Sequence, residues 1–254
     1  MIITFLGTGT SQGIPVIACN CEICRSLHYK DKRLRSSVHI QHEDCSIVID
    51  TGPDFRQQML RERIKRVDAV LYTHEHKDHT AGMDDVRSYN FKHKMDMPIY
   101  GTEKVLGQLK QEFSYVFSNL KYPGVPRVVT NEITAENPFT VKGVKITPIE
   151  VMHYKLPVLG FRIGDFTYIT DANYISKEEL KKVKGTKILV LNALQREEHI
   201  SHFTLDEAVE LAKNINAEKT YLTHISHKLG LHQEVMEELP AEVELAWDGL
   251  KVEL

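Results

Sequence analysis

The chain has 254 residues, 42% of them hydrophobic and 26% charged, which is typical of a globular α/β protein with one sizeable core, so a single domain over residues 1–254 is expected. The formal net charge of −3 at pH 7 gives no polyanion-binding signal and argues against nucleic acid as a partner. No apolar run approaches the roughly 20 residues that span a bilayer, and residues 1–6 carry no basic signal-peptide segment, so we expect a cytoplasmic protein without a membrane partner.

The chain opens with a predicted strand over residues 2–6 and a glycine-rich loop over residues 7–15. The glycine spacing of this loop is not that of a dinucleotide-binding turn, and the loop has no phosphate-binding lysine. We therefore interpret the loop as a tight turn that lets the backbone approach a functional site.

Three of the four cysteines follow in a C-x-C-x-x-C pattern at Cys19, Cys21 and Cys24. Closely spaced thiols in a reducing compartment are more often metal ligands than disulfides. Three thiolates leave one corner of a tetrahedral zinc site open. The alternative is three reduced cysteines without a metal. Cys45, which precedes a β-prone run, is predicted to be a small core residue.

A basic run over residues 25–37 is predicted to be a solvated face, with a positive rim that attracts a phosphorylated substrate as the alternative. Residues 38–40 and 46–49 follow as a predicted strand pair that ends at Asp50, and residues 55–65 have a helical pattern.

The strongest local signal is an H-x-H-x-D-H pattern formed by His74, His76, Asp78 and His79, directly after a predicted buried strand over residues 69–72. On a turning loop, residues i and i+2 can point the same way, so His74 and His76 can bind one ion. Asp78 and His79 can then reach a second ion. Imidazole and carboxylate ligands together suit zinc, manganese or iron. The alternative is a solvated polar loop with incidental histidines.

Beyond this loop, a helix is predicted to open over residues 80–83 and to end by residue 90, and a second helix is predicted over residues 105–117, with a short strand at residues 99–100 between them. Tyr122 lies in the next predicted loop, where it could pack on the surface or reach a substrate. Three later strands are predicted to end at His153, Asp171 and His224, although a histidine at a strand end is, taken alone, more often structural than a ligand.

Thr204 is predicted to cap a helix, because Glu207 follows at capping-box spacing. His202 stands just before this helix, either as a loop residue that anchors the helix or as a functional histidine. His232 is predicted to open a short surface helix.

The H-x-H-x-D-H loop, together with Asp50, His153, Asp171 and His224 in the same order, resembles the motifs of the metallo-β-lactamase fold superfamily. Within the superfamily, the C-x-C-x-x-C pattern and the segment around His202 are similar to those of the PhnP-like phosphodiesterases. This resemblance implies an α/β fold, a four-layer αββα metallo-β-lactamase sandwich of two mixed sheets flanked by helices.

The resemblance also implies roles for the candidate residues. Two divalent metal ions (Zn or Mn, with Fe or Ni as further candidates) would be held in the active site, with Asp50 holding the ligand loop and Asp248 supporting the centre. The resemblance assigns His74, His76 and His153 to the first ion, Asp78, His79 and His224 to the second, and Asp171 to both as the bridge. His227 would be the fourth ligand of one structural Zn, together with the three cysteines. The implied catalytic residues are His202 as general acid, Asp78 and Asp171.

The implied function is a metal-dependent phosphodiesterase that hydrolyses a small phosphodiester, with a cyclic ribosyl phosphate as one candidate, and a homodimer is the implied assembly. The alternatives are an RNA-processing nuclease similar to tRNase Z, a thioester hydrolase of the same fold, or a zinc-stabilised binding protein without catalysis. The tRNase Z alternative needs a long inserted arm and a basic groove, and the sequence indicates neither.

Overall fold

The structure is a computed structural model that describes residues 1–118 and 123–254, so Tyr122 lies outside the described residues. The described chain forms two seven-stranded sheets that pack face to face, with helices on the outer face of each. The predicted four-layer αββα sandwich is therefore confirmed. Among the described residues, no helix combines the length and the apolar character that crossing a membrane requires.

The first sheet comes mainly from the N-terminal half of the chain and has the order β14-β1-β2-β3-β4-β5-β6. Its strands are β1 (Ile2–Gly7), β2 (Ser37–His42), β3 (Cys45–Ile49), β4 (Ala69–Leu71), β5 (Met97–Gly101), β6 (Val128–Glu132) and β14 (Lys251–Glu253). β1, β2 and β3 pair antiparallel, whereas β3 to β6 are parallel.

The second sheet has the order β13-β12-β11-β10-β9-β8-β7 and comes from the C-terminal half. Its strands are β7 (Phe139–Val141), β8 (Val144–His153), β9 (Leu156–Ile163), β10 (Phe166–Tyr168), β11 (Ile188–Asn192), β12 (Lys219–Thr223) and β13 (Val243–Leu245). β7 to β10 pair antiparallel, and β10 to β13 are parallel.

Helices cover the outer faces of both sheets. They are α1 (Glu22–Arg25), α2 (Phe55–Glu62), α3 (Lys77–Thr80), α4 (Arg87–His93), α5 (Glu103–Glu112), α6 (Ser114–Phe117), α7 (Lys177–Val183), α8 (Leu205–Ile215) and α9 (His232–Glu238), with 3-10 turns at Tyr29–Asp31 and Met83–Val86. α8 begins with the predicted capping box of Thr204 and Glu207.

Successive hydrophobic side chains of a strand point alternately into the core between the two sheets and towards the outer helices. In β3, Ile47 and Ile49 face the core between the two sheets, whereas Val48 packs with α2 and α5 on the outer face. Successive strand residues point to opposite sides, so a fully apolar strand must be covered on both. Phe161 and Tyr168 enter the same central core from the second sheet.

The predicted helix over residues 105–117 is divided into α5 and α6. Phe113 separates them with φ −108° and ψ 41°, outside the helical region, although it still packs with the outer core. The apolar stripe along this segment thus packs inward as predicted, but on two helices separated at Phe113.

Two surface predictions were wrong. Arg33, within the basic run, is only 3% exposed, and His232 is 2% exposed. The Arg33 guanidinium donates to Thr8 Oγ1 at 2.7 Å and to the Ala246 carbonyl at 2.6 Å, and its other nitrogen lies 3.2 Å from His232 Nδ1. Burial lowers the pKa of Arg33 to about 10, against the opposing effect of Asp248. Hydrogen-bond acceptors from distant parts of the chain surround the guanidinium and offset the free-energy cost of burying its charge.

The parallel strands of both sheets place their carboxyl ends at one edge of the sandwich. Asp50 follows β3, His74 follows β4, Asp171 follows β10 and His224 follows β12, while His153 is the last residue of β8. All the strand-end candidates of the sequence therefore lie at the same edge.

The buried His39 of β2 predicts a pH-dependent stability that is separate from this edge. Burial lowers its pKa to about 4, so the folded protein holds a neutral imidazole that the unfolded chain protonates below about pH 6.5. The contribution of His39 to the unfolding free energy is fully present above the pKa of the unfolded chain. It is lost as the pH falls towards the lower pKa of His39 in the folded protein. Between pH 7 and pH 5 the wild type should lose about 2 kcal/mol more unfolding free energy than His39→Gln. Urea unfolding at both pH values measures the difference, and equal losses would contradict it.

Candidate metal centre

Two groups of potential ligand atoms meet at this edge. His74, His76, His153 and Asp171 form one group, and Asp78, His79, Asp171 and His224 form the other. Within each group the ligand atoms lie within 4.8 Å of one another, and Asp171 belongs to both. The structure thus brings together the seven residues predicted for two ions, in two groups that share Asp171.

The first group presents three imidazole rings. His74 Nε2 lies 3.0 Å from His76 Nδ1 and 3.7 Å from Asp171 Oδ2. The ring of His153 lies 5.6 Å from that of His74 and 5.1 Å from that of His76, between centroids. His76 is the most exposed member, on the open side of the site.

Hydrogen bonds outside the group assign the tautomers of two of these rings. The Thr73 hydroxyl donates to Asp50 Oδ2 at 2.8 Å, so it can accept from His74 Nδ1 at 2.9 Å. His153 Nδ1 donates to the Ser201 carbonyl at 2.9 Å. Both rings therefore hold their proton on Nδ1 and present an unprotonated Nε2 to the site, as histidine ligands do.

The second group is centred on two carboxylates. Asp78 Oδ2 lies 3.1 Å from His79 Nε2, and Asp171 Oδ2 lies 3.4 Å from the same nitrogen. The other oxygen of Asp171 lies 3.0 Å from His224 Nδ1, while the Thr10 hydroxyl lies 3.2 Å from His224 Nε2. Thr10 therefore fixes the orientation of His224 from the N-terminal loop.

Asp50 holds the ligand loop from beneath and is fully buried. Its carboxylate accepts from the Thr73 backbone N–H at 2.9 Å, from the Thr73 hydroxyl at 2.8 Å and from His79 Nδ1 at 2.7 Å. Burial raises the pKa of Asp50, and these donors act against that rise. The geometry matches the supporting role implied for Asp50.

Three residues of the edge have left-handed backbone conformations, with φ of 64° for Asp50, 58° for Asp171 and 56° for His224. Residues other than glycine adopt such angles at a cost of about 1 kcal/mol or more, and such strain concentrates at functional sites. Each angle turns the chain sharply as it leaves a strand, which brings the side chain over the edge.

The charge balance of the site favours a cation. Burial opposes protonation of His79, yet Asp78, Asp171 and Asp50 together raise its pKa well above the ordinary value. Burial likewise opposes ionisation of Asp171, but His224 and His79 hold its pKa well below the usual range. Among the described residues, His79 Nε2 and His224 Nδ1 are buried without a hydrogen-bond partner. Carboxylates that raise the pKa of a buried imidazole favour positive charge there, and a divalent ion bound by these orphaned nitrogens would supply that charge in place of the proton.

His202 lies beside both groups, directly before α8. Its ring centroid is 4.6 Å from that of His153 and 4.9 Å from that of His224. Burial lowers its pKa to about 3, and its Nδ1 has no hydrogen-bond partner in the part of the chain described. The ring is thus placed to meet a group bound over the two ligand sets.

The structure also brings His227 next to the three cysteines of the C-x-C-x-x-C pattern. His227 Nδ1 lies 3.3 Å from Cys19 Sγ, 3.4 Å from Cys21 Sγ and 3.5 Å from Cys24 Sγ. Tetrahedral zinc with ordinary Zn–S and Zn–N bonds separates its sulfur and nitrogen ligands by about 3.5 Å, so the four atoms fit a zinc ion. A hydrogen bond from the Cys24 backbone lowers the pKa of Cys21 to about 6, whereas burial raises that of Cys24 to about 11.

Asp248 acts on the centre through the N-terminal loop. It accepts from the Thr8 hydroxyl and from the Leu34 backbone N–H, both at 2.8 Å, and pairs with Arg61 at 3.3 Å. The loop held in this way carries Thr10. No sequence pattern pointed to Thr10 or to the Ser201 carbonyl, because both contact the ligands from distant parts of the chain.

Two clefts open beside the ligand groups. One has a volume of about 500 Å³ and is lined by His76, Lys104, His153, Tyr154, Lys155 and Ile200, among others. The other, of about 220 Å³, is lined by polar residues that include Ser11, Gln12, Gln195, His199, His202 and Lys228.

Comparisons with known proteins agree with this geometry. Residues 46–225 match the family model described as a beta-lactamase superfamily domain. A crystal structure described as a new diphosphatase from the PhnP family has 40% sequence identity and a TM-score of 0.93, covering 100% of this chain and 97% of that chain. The short form of human tRNase Z has 21% identity and a TM-score of 0.74, covering 100% of this chain and 99% of that chain. Because the identity is low, this similarity supports the fold alone.

A curated relative, an octanoyltransferase of Porphyromonas gingivalis (strain ATCC BAA-308 / W83), is 40% identical over 248 residues, which are 97% of this chain and 50% of the relative. The chain thus spans about half the length of this relative. From the family model, the full-length similarity and the observed fold, we conclude that the chain belongs to the metallo-β-lactamase superfamily and, within it, to the PhnP family.

Proposed function

We propose that this protein is a metal-dependent phosphodiesterase that hydrolyses a small phosphodiester, for which a cyclic ribosyl phosphate is one candidate. The observation that carries the proposal is Asp171, one buried carboxylate shared by two complete sets of nitrogen and oxygen ligands. A bridging carboxylate of this kind suits two divalent ions, zinc or manganese, with iron or nickel accepted by the same donors.

A bound pair of divalent ions would lower the pKa of water towards neutrality and neutralise charge on phosphoryl oxygens. The chain itself would supply orientation and a proton. Asp50 and Thr10 fix the imidazoles of His79 and His224. His202 would protonate the leaving oxygen as the P–O bond breaks, since an anionic substrate beside the ring favours its charged form.

The two clefts favour a diester over a monoester. Both adjoin the ligand groups, with His76 and His153 in the walls of one and His202 in the wall of the other. A diester has two substituents on phosphorus, and each needs a space. The formal charge of −3 favours a small substrate over a long RNA, so a tRNase Z-like activity is the weaker candidate.

Acyl transfer chemistry is a second candidate, because the curated relative is named an octanoyltransferase. This chain matches half of that protein, and we propose that the named activity belongs to the other half. Release of octanoate from octanoyl-CoA, without turnover of any phosphodiester, would instead favour a thioester hydrolase.

We also propose that Cys19, Cys21, Cys24 and His227 hold a structural zinc, because the imidazole nitrogen lies at about the spacing of neighbouring tetrahedral ligands from all three sulfurs. Such an ion would fasten the N-terminal loop to the segment that follows His224. It has no open coordination position and so would take no direct part in hydrolysis.

Replacing His76 by alanine should abolish hydrolysis, because the first ion would lose a ligand. We expect kcat/KM for bis(4-nitrophenyl) phosphate to fall by about 100-fold or more with manganese or zinc supplied. His42→Ala, a histidine outside both ligand groups, serves as the control and should keep full activity. A fully active His76→Ala enzyme would refute the metal assignment.

The proposed role of His202 predicts a dependence on the leaving group. A 4-nitrophenol leaves readily without a proton, whereas the alkoxide of a 2′,3′-cyclic nucleotide does not. His202→Ala should therefore lose about 10²–10⁴-fold in kcat on the cyclic nucleotide and less than about 10-fold on the nitrophenyl diester. The neighbouring His199→Ala should affect both substrates alike. Equal losses for His202→Ala would argue against the general-acid role.

The zinc proposal predicts the effect of Cys21→Ser. The purified variant should contain one zinc less per chain by elemental analysis and melt about 10 °C lower, since metal binding contributes folding free energy. Cys45→Ala removes a buried thiol outside the cluster and should keep the full zinc content. An unchanged zinc content in Cys21→Ser would leave the cluster without a structural metal.

A further inference from the structure

The turn between β8 and β9 carries an unusual tyrosine. Tyr154 directly follows His153 and has φ 57°, a left-handed conformation in which a bulky side chain is an outlier. Glycine or asparagine would fill this turn position at lower cost. The tyrosine ring is nevertheless 49% exposed, so core packing does not explain its presence. Strain at such a position points to a functional constraint.

The surroundings of Tyr154 form a small platform beside the ligand groups. The platform consists of Tyr154, Lys155 and Ile200, which line the same cleft as His76 and His153. Ile200 is 65% exposed, and Lys155 Nζ lies 5.2 Å from the centroid of the Tyr154 ring. In residues 1–118 and 123–254, Lys155 makes no ion pair, whereas Lys104 at the rim is paired with Glu75.

Asn173 holds this platform in place. The Tyr154 backbone N–H donates to Asn173 Oδ1 at 2.8 Å, and Asn173 Nδ2 donates to the Ile200 carbonyl at 3.1 Å. The Asn173 backbone N–H in turn donates to the Met152 carbonyl at 2.8 Å. Asn173 lies two residues after Asp171 in the chain. The backbone of Tyr154 and that of Ile200 are thus both held by one side chain beside the ligand groups.

We infer that Tyr154, Lys155 and Ile200 form a subsite for a planar aromatic group, such as a nucleobase or another aryl group, on the substituent that stays on phosphorus. The inference rests on the proposed phosphodiesterase function. An aromatic ring offers its face for stacking, an exposed isoleucine covers the edge, and an unpaired ammonium meets negative charge on the ligand. Because His202 lines the other, polar cleft, the leaving alcohol departs on that side and the retained group occupies the platform.

Two substrates with one leaving group test the subsite. Bis(4-nitrophenyl) phosphate and methyl 4-nitrophenyl phosphate both release 4-nitrophenol, but they retain an aryl and a methyl group. Tyr154→Ala should lower the ratio of their kcat/KM values by about 10-fold, because a stacked ring contributes a factor of this size. Tyr154→Phe should keep the wild-type ratio, since the ring face remains. Phe91→Ala, which removes an exposed ring on the outer helix layer, should leave the ratio unchanged.

The melting temperature and the oligomeric state of Tyr154 variants distinguish a substrate-binding role from a structural role or a role in subunit contacts. Tyr154→Gly should melt at or above the wild-type temperature, because glycine relieves the backbone strain. Equal losses on both substrates, or no loss on either, in a folded Tyr154→Ala protein would overturn the subsite. If Tyr154→Ala changed the oligomeric state and left the ratio of the two kcat/KM values unaltered, the subsite would also be overturned, because the surface would then serve contacts between subunits. A wild-type protein that hydrolyses neither diester would refute the proposed function instead.

Discussion

The buried carboxylate of Asp50 is the contact on which the metal edge depends. It joins the end of β3 to the loop after β4 by accepting from the Thr73 N–H, the Thr73 hydroxyl and His79. The same hydroxyl sets the tautomer of His74, so one side chain orients a ligand in each group. A carboxylate in this position is costly to bury, and its three donors offset that cost. The left-handed turn at Asp50 is maintained because these contacts over-determine it.

Much of this site could be predicted because its signals are local. The H-x-H-x-D-H loop follows a buried strand, so spacing and periodicity alone indicate a metal site there. A histidine or aspartate at a strand end, such as His153, Asp171 or His224, is a weaker signal for a metal site. These three residues were assigned to a common centre only because their order resembles that of a known family. The observed fold supplies the physical reason, since parallel strands deliver their carboxyl ends to one edge. The capping box of α8 was equally visible, because it involves residues three apart.

Other features depend on contacts that spacing does not encode. A basic run usually means a solvated face, but Arg33 is buried because Thr8, Ala246 and His232 surround it from both ends of the chain. The break between α5 and α6 at Phe113 leaves the apolar period intact, so the pattern does not reveal it. Tyr154 follows a ligand by one residue, yet its significance rests on a backbone angle and on Asn173, and a sequence displays neither.

The cysteine cluster has a consequence for the hydrolytic centre. It connects residues 19–24 with His227, three positions after His224, while Thr10 of the same N-terminal segment contacts the His224 ring. Ions at the two proposed sites would be coupled through this segment, and any effect of one ion on the affinity for the other would be returned equally by reciprocity. Thiolates are oxidised far more readily than imidazoles or carboxylates. As ligands of the proposed zinc, the three thiolates would give this enzyme a sensitivity to oxidants that its imidazole and carboxylate groups lack.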